Sequence, residues 1–206
     1  ILGIVQAETG RPEEALTSLK LAVDLAPDNA VAQGALGRVL ALTGDSEGSQ
    51  QWFGRLPKQL RNTAPILQVV ARVAAWSGNF EHYRALFAQS AAVASGSMSQ
   101  LLTAVARRMM GESGPAELNA ALEPMAPSFP NHPRVAATLH ELAAEAEGIR
   151  GDIGECLKHL AAVRSFNAHD LLWLQRCPAL ACVRGTAEYQ QLEAEAVAAA
   201  RQIWTA

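Results

Sequence analysis

Apolar and polar positions alternate along most of this chain with the period of an amphipathic helix. In the first segment Ala15, Leu19 and Ala22 follow one another at spacings of four and three residues. Side chains at such spacings lie on one side of a helix. The last predicted helix has one apolar stripe, formed by Tyr189, Leu192, Ala196, Ala199 and Ile203. Alanine and leucine dominate and β-branched runs are few, so the pattern predicts an all-α chain.

A small residue followed seven positions later by glycine recurs along the chain. The pairs are Gly3/Gly10, Gly37/Gly44, Ala71/Gly78, Ala104/Gly111 and Ala144/Gly151. Successive glycines of these pairs are 34, 34, 33 and 40 residues apart. The small residue lets a second helix pack closely, and the glycine ends the first helix in the left-handed conformation. The period therefore predicts about five pairs of antiparallel helices.

The first unit, ILGIVQAETGRPEEALTSLKLAVDLAPDN, resembles a tetratricopeptide repeat. Its residues at the signature positions of that family are Leu2, Gly3, Gly10, Ala15, Leu19, Ala22 and Pro27. The resemblance implies a right-handed α-solenoid with a concave groove that binds peptides. The signature aromatic residues are largely absent, so the repeats are divergent.

The array of repeats is predicted to span residues 1–165, and residues 166–206 are predicted to form C-terminal capping helices. A proline-rich linker at about 124–133 accounts for the longer interval before Gly151. The tail, LLWLQRCPALACVRGTAEYQQL, is similar to closing segments of repeat regions in bacterial multidomain regulators such as serine/threonine kinases and nucleotide cyclases. The chain opens partway through a helical pattern without an initiator Met, so we expect a piece of a longer bacterial protein.

Composition excludes several classes of function. The 206 residues carry a net charge of −3 with no cluster of Lys or Arg, which argues against a nucleic-acid partner. The longest uncharged window, residues 85–106, is interrupted by polar side chains, so no membrane span is expected. The three cysteines, an odd number, are Cys156, Cys177 and Cys182. They favour a reducing, cytoplasmic setting.

Three patterns resemble catalytic or metal-binding motifs, and for each a structural role is the better interpretation. Residues 44–48, GDSEG, match the G-x-S-x-G pattern with Ser46 as nucleophile, yet they fall in a turn between two predicted helices. His140 and Glu141 begin an H-E-x-x-H motif whose second histidine is missing. Cys177 and Cys182 lack further ligands at zinc spacing. We therefore expect no enzyme, metal or cofactor, with a serine hydrolase at Ser46 as the less favoured alternative.

Equivalent positions of the repeats predict a partner-binding groove. Arg38 and Arg72 each follow the small residue of their unit and suit an acidic partner. A row of mostly apolar residues lies five positions beyond the small residue. The predicted groove is Arg38, Leu42, Gln68, Arg72, Trp76 and Met109. The same row is equally suited to packing against the neighbouring repeat.

We expect a module that binds a protein or peptide partner in this groove. Arg38, Gln68 and Arg72 do not reproduce the Lys/Asn carboxylate clamp of the family's chaperone-binding members, so chaperone tails are not the expected partner. The alternative is a structural spacer or a surface for self-association, which the alanine-rich, divergent repeats also allow.

Overall fold

The computed structural model of the chain describes residues 1–93, 96–125, 132–166 and 170–205. These residues form thirteen α-helices and one 3-10 turn, and none of them lies in a β-strand. The predicted all-α fold of tetratricopeptide-like helix pairs is confirmed. Residues 126–131, which make up most of the predicted proline-rich linker, lie outside the described residues, as does His169.

The first helix of each pair is called helix A below, and the second helix B. The five pairs are α1 (Leu2–Glu8) with α2 (Pro12–Leu25), α3 (Ala30–Leu42) with α4 (Ser46–Arg55), α6 (Ala64–Trp76) with α7 (Phe80–Val93), α8 (Gly96–Met109) with α9 (Pro115–Leu122), and α10 (Pro133–Arg150) with α11 (Ile153–Ser165). The remaining elements are α5 (Lys58–Arg61), α12 (Leu171–Arg176), the 3-10 turn Pro178–Leu180 and α13 (Ala187–Ile203).

The turns within the pairs follow the predicted chemistry. The five repeat glycines, Gly10, Gly44, Gly78, Gly111 and Gly151, all have positive φ, between 73° and 93°. That left-handed conformation ends helix A with little steric cost for glycine alone. Helix B then restarts at a side-chain cap in several repeats: the Asp45 carboxylate, for example, accepts a hydrogen bond from the Gly48 N–H at 2.8 Å.

In the first two repeats the small residue of helix A lies directly under a large side chain of helix B. A Cβ atom added to Gly37 would overlap the ring of Phe53, and one added to Gly3 would lie 2.7 Å from Leu19 Cγ. Hydrogen bonds repeat at this contact as well. Ser49 Oγ donates to the Gly37 carbonyl at 2.8 Å, and Cys156 Sγ donates to the Ala144 carbonyl at 3.3 Å. The second and fifth repeats therefore share one packing scheme.

The chain divides into two compact units, and each takes residues from the C-terminal segment. Unit 1 comprises Ile1–Gln89, Asp170–Cys177 and Ala200–Ala206, and unit 2 comprises Ser90–His169 and Pro178–Ala199. This division differs from the predicted boundary at residue 165, because α12 packs against α1 and α3 whereas the 3-10 turn packs against α10. Each unit therefore includes C-terminal residues that pack on its repeat helices.

Within unit 1, side-chain contacts join the turn after α1 to the C-terminal end of the chain. The indole N–H of Trp204 donates to Thr9 Oγ1 at 2.9 Å, and the Arg11 guanidinium lies 4.0 Å from the centre of the Trp204 ring. Such a cation–π contact adds a modest stabilisation at a partly exposed site. The two termini of unit 1 are therefore linked through side chains.

Unit 2 contains a buried ion pair between two neighbouring A helices. Arg108 of α8 donates to both carboxylate oxygens of Glu147 on α10, with its Nη2 2.6 Å from Oε2. Only 10% of the Arg108 side chain and none of the Glu147 side chain is exposed. The Glu147 carboxylate raises the pKa of Arg108 above its ordinary value, chiefly through these hydrogen bonds and also through its charge. The pair joins α8 to α10.

Replacing Arg108 by Met should lower the free energy of unfolding by roughly 3–5 kcal/mol, because the Glu147 carboxylate would remain buried without its partner. The neighbouring Arg107 is the matched control. It pairs with Glu117 on the surface, with 45% of its side chain exposed, so Arg107→Met should cost less than about 1 kcal/mol. Urea denaturation of the three proteins measures the difference, and equal losses in the two variants would contradict the assignment.

Candidate functional site

We define the A-helix face of unit 1 as the side of α1, α3 and α6 that carries Arg38 and Arg72. A segment of the chain itself, α12, already packs on this face. Arg38 Nη2 donates to the Asp170 carboxylate at 2.6 Å. The two side chains are 13% and 8% exposed. The other oxygen of Asp170 accepts the Trp173 N–H at 2.9 Å and so caps α12. One carboxylate therefore starts α12 and attaches it to α3.

The apolar side chains of α12 are buried, and the helix packs on α1 and α3. Leu171, Leu172, Trp173 and Leu174 are at most 8% exposed, and Trp173 is fully buried. A Cβ atom on Gly10 would lie 2.9 Å from Leu171 Cδ2, so the turn after α1 is in close contact with α12. The part of the predicted groove formed by the first two repeats is thus covered by the chain's own helix.

The face continues onto α6, where the predicted residues are spaced by four. The Arg72 side chain is buried, and its guanidinium lies 5.5 Å from the centre of the Trp76 ring. Gln68 and Trp76 are partly exposed. Because residues at i, i+4 and i+8 share one side of a helix, these three side chains form one strip. Gln68 and Trp76, at the two ends of this strip, are its accessible residues.

Two members of the predicted apolar row, by contrast, are interior. Leu42 in unit 1 and Met109 in unit 2 are 3% and 1% exposed. Both side chains are buried within their own unit. The spacing predicted that these residues share one side of helix A. It did not predict whether that side faces the groove or the interior. The structure therefore brings together Arg38, Gln68, Arg72 and Trp76 on helices that pack on each other, and leaves Leu42 and Met109 in the core.

A cavity of about 660 Å³ lies among α4, α5, α6 and α7 of unit 1, and sequence reasoning missed it. It is called the α4–α7 cavity below. Its apolar lining is formed mainly by Phe53, Ile66, Leu67, Val70, Val73 and Leu86. The cavity follows from a break in helix B of the second repeat. Pro57 cannot continue α4, which ends after ten residues where α2 has fourteen.

The charged side chains that line the α4–α7 cavity are basic. The exposed Lys58 and Arg61, three residues apart on α5, belong to the lining. None of the described lining residues carries a carboxylate. The acidic Glu47 and Glu81 lie on α4 and α7 but outside the lining. The cavity thus combines an apolar interior with a cationic edge, a combination that could have been suspected from the segment RLPKQLR.

The G-x-S-x-G segment forms an ordinary helix start. Ser46 is the first residue of α4, directly after the capping Asp45. The preceding element is the helix α3 and not a strand, so the strained strand-to-helix turn of a nucleophile elbow is absent from this described segment. In the part of the chain that the structure describes, no three His, Cys, Asp or Glu side chains lie close enough to hold a metal ion.

The histidine of the incomplete zinc motif pairs with a second histidine. His140 Nδ1 of α10 lies 3.2 Å from His159 Nδ1 of α11, so one ring donates and the other accepts. The Phe166 ring is stacked on His140, with 5.8 Å between ring centres. Burial, with the nearby His140 and Lys158, lowers the pKa of His159 to about 4. Burial also lowers the pKa of His140. Both rings are therefore neutral at pH 7.

The cysteines have structural environments. Burial raises the pKa of Cys156 to about 12, and its thiol bonds to the Ala144 carbonyl as described above. Cys182 Sγ donates to the Gly148 carbonyl at 3.4 Å. All three cysteines are free thiols, and Cys177 is fully buried. A protonated thiol is a poor nucleophile and a poor metal ligand, so these residues serve packing.

The fold and its surfaces define a helical-repeat protein, and the comparison with protein families identifies the repeat. The family model described as tetratricopeptide repeat matches residues 6–73, from α1 into α6. The chain therefore carries tetratricopeptide repeats over those residues, as the first unit predicted. No match was found among curated proteins or solved structures. Proteins built from this repeat are generally interaction scaffolds and are typically not enzymes. None of the described helices is long and apolar enough to cross a membrane.

Stability should depend on pH through the His140–His159 pair. The folded-state pKa values lie below the ordinary value of 6.5, so the unfolded chain binds protons more readily and stability falls as pH drops from about 6.5 towards about 4. Between pH 7.5 and pH 5, His159 alone should account for a loss of about 2 kcal/mol in the free energy of unfolding.

Denaturation of the wild-type protein and of His159→Gln at the two pH values measures this loss. The variant should lose much less stability on acidification than the wild type does. His82→Gln, which removes an exposed histidine of α7, should behave as the wild type. An unchanged pH dependence in His159→Gln would show that the pair does not carry the effect.

Proposed function

We propose that this chain is a protein-interaction module of the tetratricopeptide type, which binds a partner peptide on the A-helix face of unit 1. The observation that carries the proposal is the Arg38–Asp170 pair, in which an arginine of this face holds the carboxylate that begins a helix, at 2.6 Å. The general role of this repeat as an interaction scaffold agrees with it. The proposal assigns no catalytic residue and no cofactor.

The covered part of the face indicates the kind of peptide that suits it. α12 offers one carboxylate at its first turn, followed by leucines and a tryptophan that are buried on α1 and α3. Apolar anchors buried in a groove, with a charge that fixes orientation, are the common pattern of helix-in-groove recognition. An acidic, apolar helical segment is therefore the proposed partner chemistry.

The accessible part of the face lies on α6. Arg72 occupies the position of α6 that corresponds to Arg38 on α3, one repeat of 34 residues later. Gln68 and Trp76 flank it and are partly exposed. The Trp76 Nε1–H makes no hydrogen bond among the described residues. We place the partner on this strip, beside α12, with Leu42 in the core of unit 1 behind it.

We also propose a cytoplasmic setting within a larger bacterial protein. Three free thiols agree with a reducing compartment. The similarity of the tail to closing segments of bacterial multidomain regulators supports the bacterial parent.

Self-association is the second candidate function, and a specific surface favours it. Leu21 and Leu25 of α2 are 59% and 77% exposed, and Val31 at the start of α3 is 57% exposed. The two leucines are four residues apart and share one side of α2. Exposed apolar residues grouped in this way are typical of an interface.

Selection of a random phage-displayed peptide library on the full chain tests peptide binding without knowledge of the partner. Acidic peptides with large apolar residues should be enriched. Gln68→Glu should weaken the selected peptides about tenfold, because the added carboxylate repels an acidic ligand. The control Lys20→Gln changes the net charge equally, on the exposed side of α2, and should alter affinity by less than about twofold.

Failure to enrich peptides, or equal effects of the two variants, would contradict binding on the A-helix face. Concentration-dependent dimers in light scattering, together with no enriched peptide, would favour self-association.

A further inference from the structure

We propose that the α4–α7 cavity is a binding site for a small anionic amphiphile, a carboxylate attached to an unbranched alkyl chain. The cavity lies entirely within unit 1. Its lining lies on α4 to α7 and excludes Arg38, Gln68, Arg72 and Trp76, so this site is separate from the surface proposed for the peptide. The ligand class is also different, and the proposal does not rest on the proposed function.

The volume and position of the cavity suit a small molecule. About 660 Å³ is within the usual range of ligand sites, roughly 300–1,000 Å³. The walls come from helix B of the second repeat, from α5 and from both helices of the third repeat. Because α4 is short and α5 replaces its last turn, this inter-repeat space is not filled by side chains.

The interior of the cavity is suited to an alkyl chain. Phe53 and Ile66 are 5% and 1% exposed and belong to one core cluster. Val70 and Leu86 are partly exposed and complete the apolar surface. Apolar carbon buried against such a surface leaves water, which is the main driving force for binding of a hydrocarbon chain.

The edge of the cavity is suited to a carboxylate. Lys58 and Arg61 face it from one turn of α5, and neither makes an ion pair among the described residues. Asn62, Asn79 and Gln89 add polar groups to the same lining. An ammonium and a guanidinium beside each other favour a negative head group over a neutral or positive one.

Isothermal titration calorimetry with octanoate, decanoate and dodecanoate tests the proposal on the full chain. Affinity should rise with chain length, because each added methylene is buried. Decanoate should bind about tenfold or more tightly than decyltrimethylammonium, which has a similar chain and the opposite charge. No binding by any of the three carboxylates, or equal affinity for the cationic compound, would overturn the proposal.

Variants locate the site. Lys58→Gln and Arg61→Gln should each weaken decanoate binding about threefold to tenfold. The control is Arg55→Gln, an exposed arginine of α4 outside the lining, which should leave affinity unchanged. Equal effects at Arg55 and Arg61 would mean attraction by net charge alone and would overturn the assigned site.

A second pair of variants tests the cavity itself. A Cβ atom added to Gly54, a lining residue, meets nothing within 4 Å, so a side chain can start there without a clash. Gly54→Trp should reduce decanoate affinity at least about tenfold by occupying space, whereas Gly54→Ala should change it little. Thermal denaturation checks that both variants are folded. Retained affinity in a folded Gly54→Trp protein would contradict the site, and none of these outcomes bears on peptide binding at Gln68.

Discussion

The contact between the small residue of helix A and the large side chain of helix B is the constraint on which the fold depends. At Gly37 the ring of Phe53 occupies the space of a missing side chain, and at Gly3 the Leu19 side chain does the same. Such close approach buries apolar surface on both helices and leaves no room for a methyl group. The glycine seven residues later ends helix A, so the chain can turn back and helix B can lie against helix A. The 34-residue period is the consequence of repeating both features.

The two surfaces proposed for binding lie where the pattern is interrupted. Pro57 ends α4 early, and the α4–α7 cavity opens where two successive repeats would otherwise pack side by side. In the first two repeats the A-helix face is covered instead by α12, which the Arg38–Asp170 pair fixes in place. The two surfaces of unit 1 thus have separate causes: a helix that is too short, and a C-terminal helix that returns to the N-terminal repeats.

Local patterns in the sequence predicted the helices and the positive-φ glycines, because each depends on residues near one another in the chain. They did not predict the pairing of Arg38 with Asp170, since 132 residues separate the two. Nor did they predict that Leu42 is interior, because spacing defines a side of a helix but not its neighbour. The cavity was missed for a related reason. A proline predicts the end of a helix, whereas the space left beside it depends on how the next repeat packs.

The close A–B contact is the central claim, and a pair of glycine variants tests it most directly. Alanine is the better helix former by about 1 kcal/mol, so both Gly37→Ala and Gly54→Ala would gain stability from propensity alone. The account predicts that Gly37→Ala instead lowers the free energy of unfolding by about 1–3 kcal/mol, because the methyl group meets the buried Phe53 ring. Gly54→Ala, whose Cβ is unobstructed, should be neutral or stabilising. A Gly37→Ala protein as stable as the wild type would contradict the account.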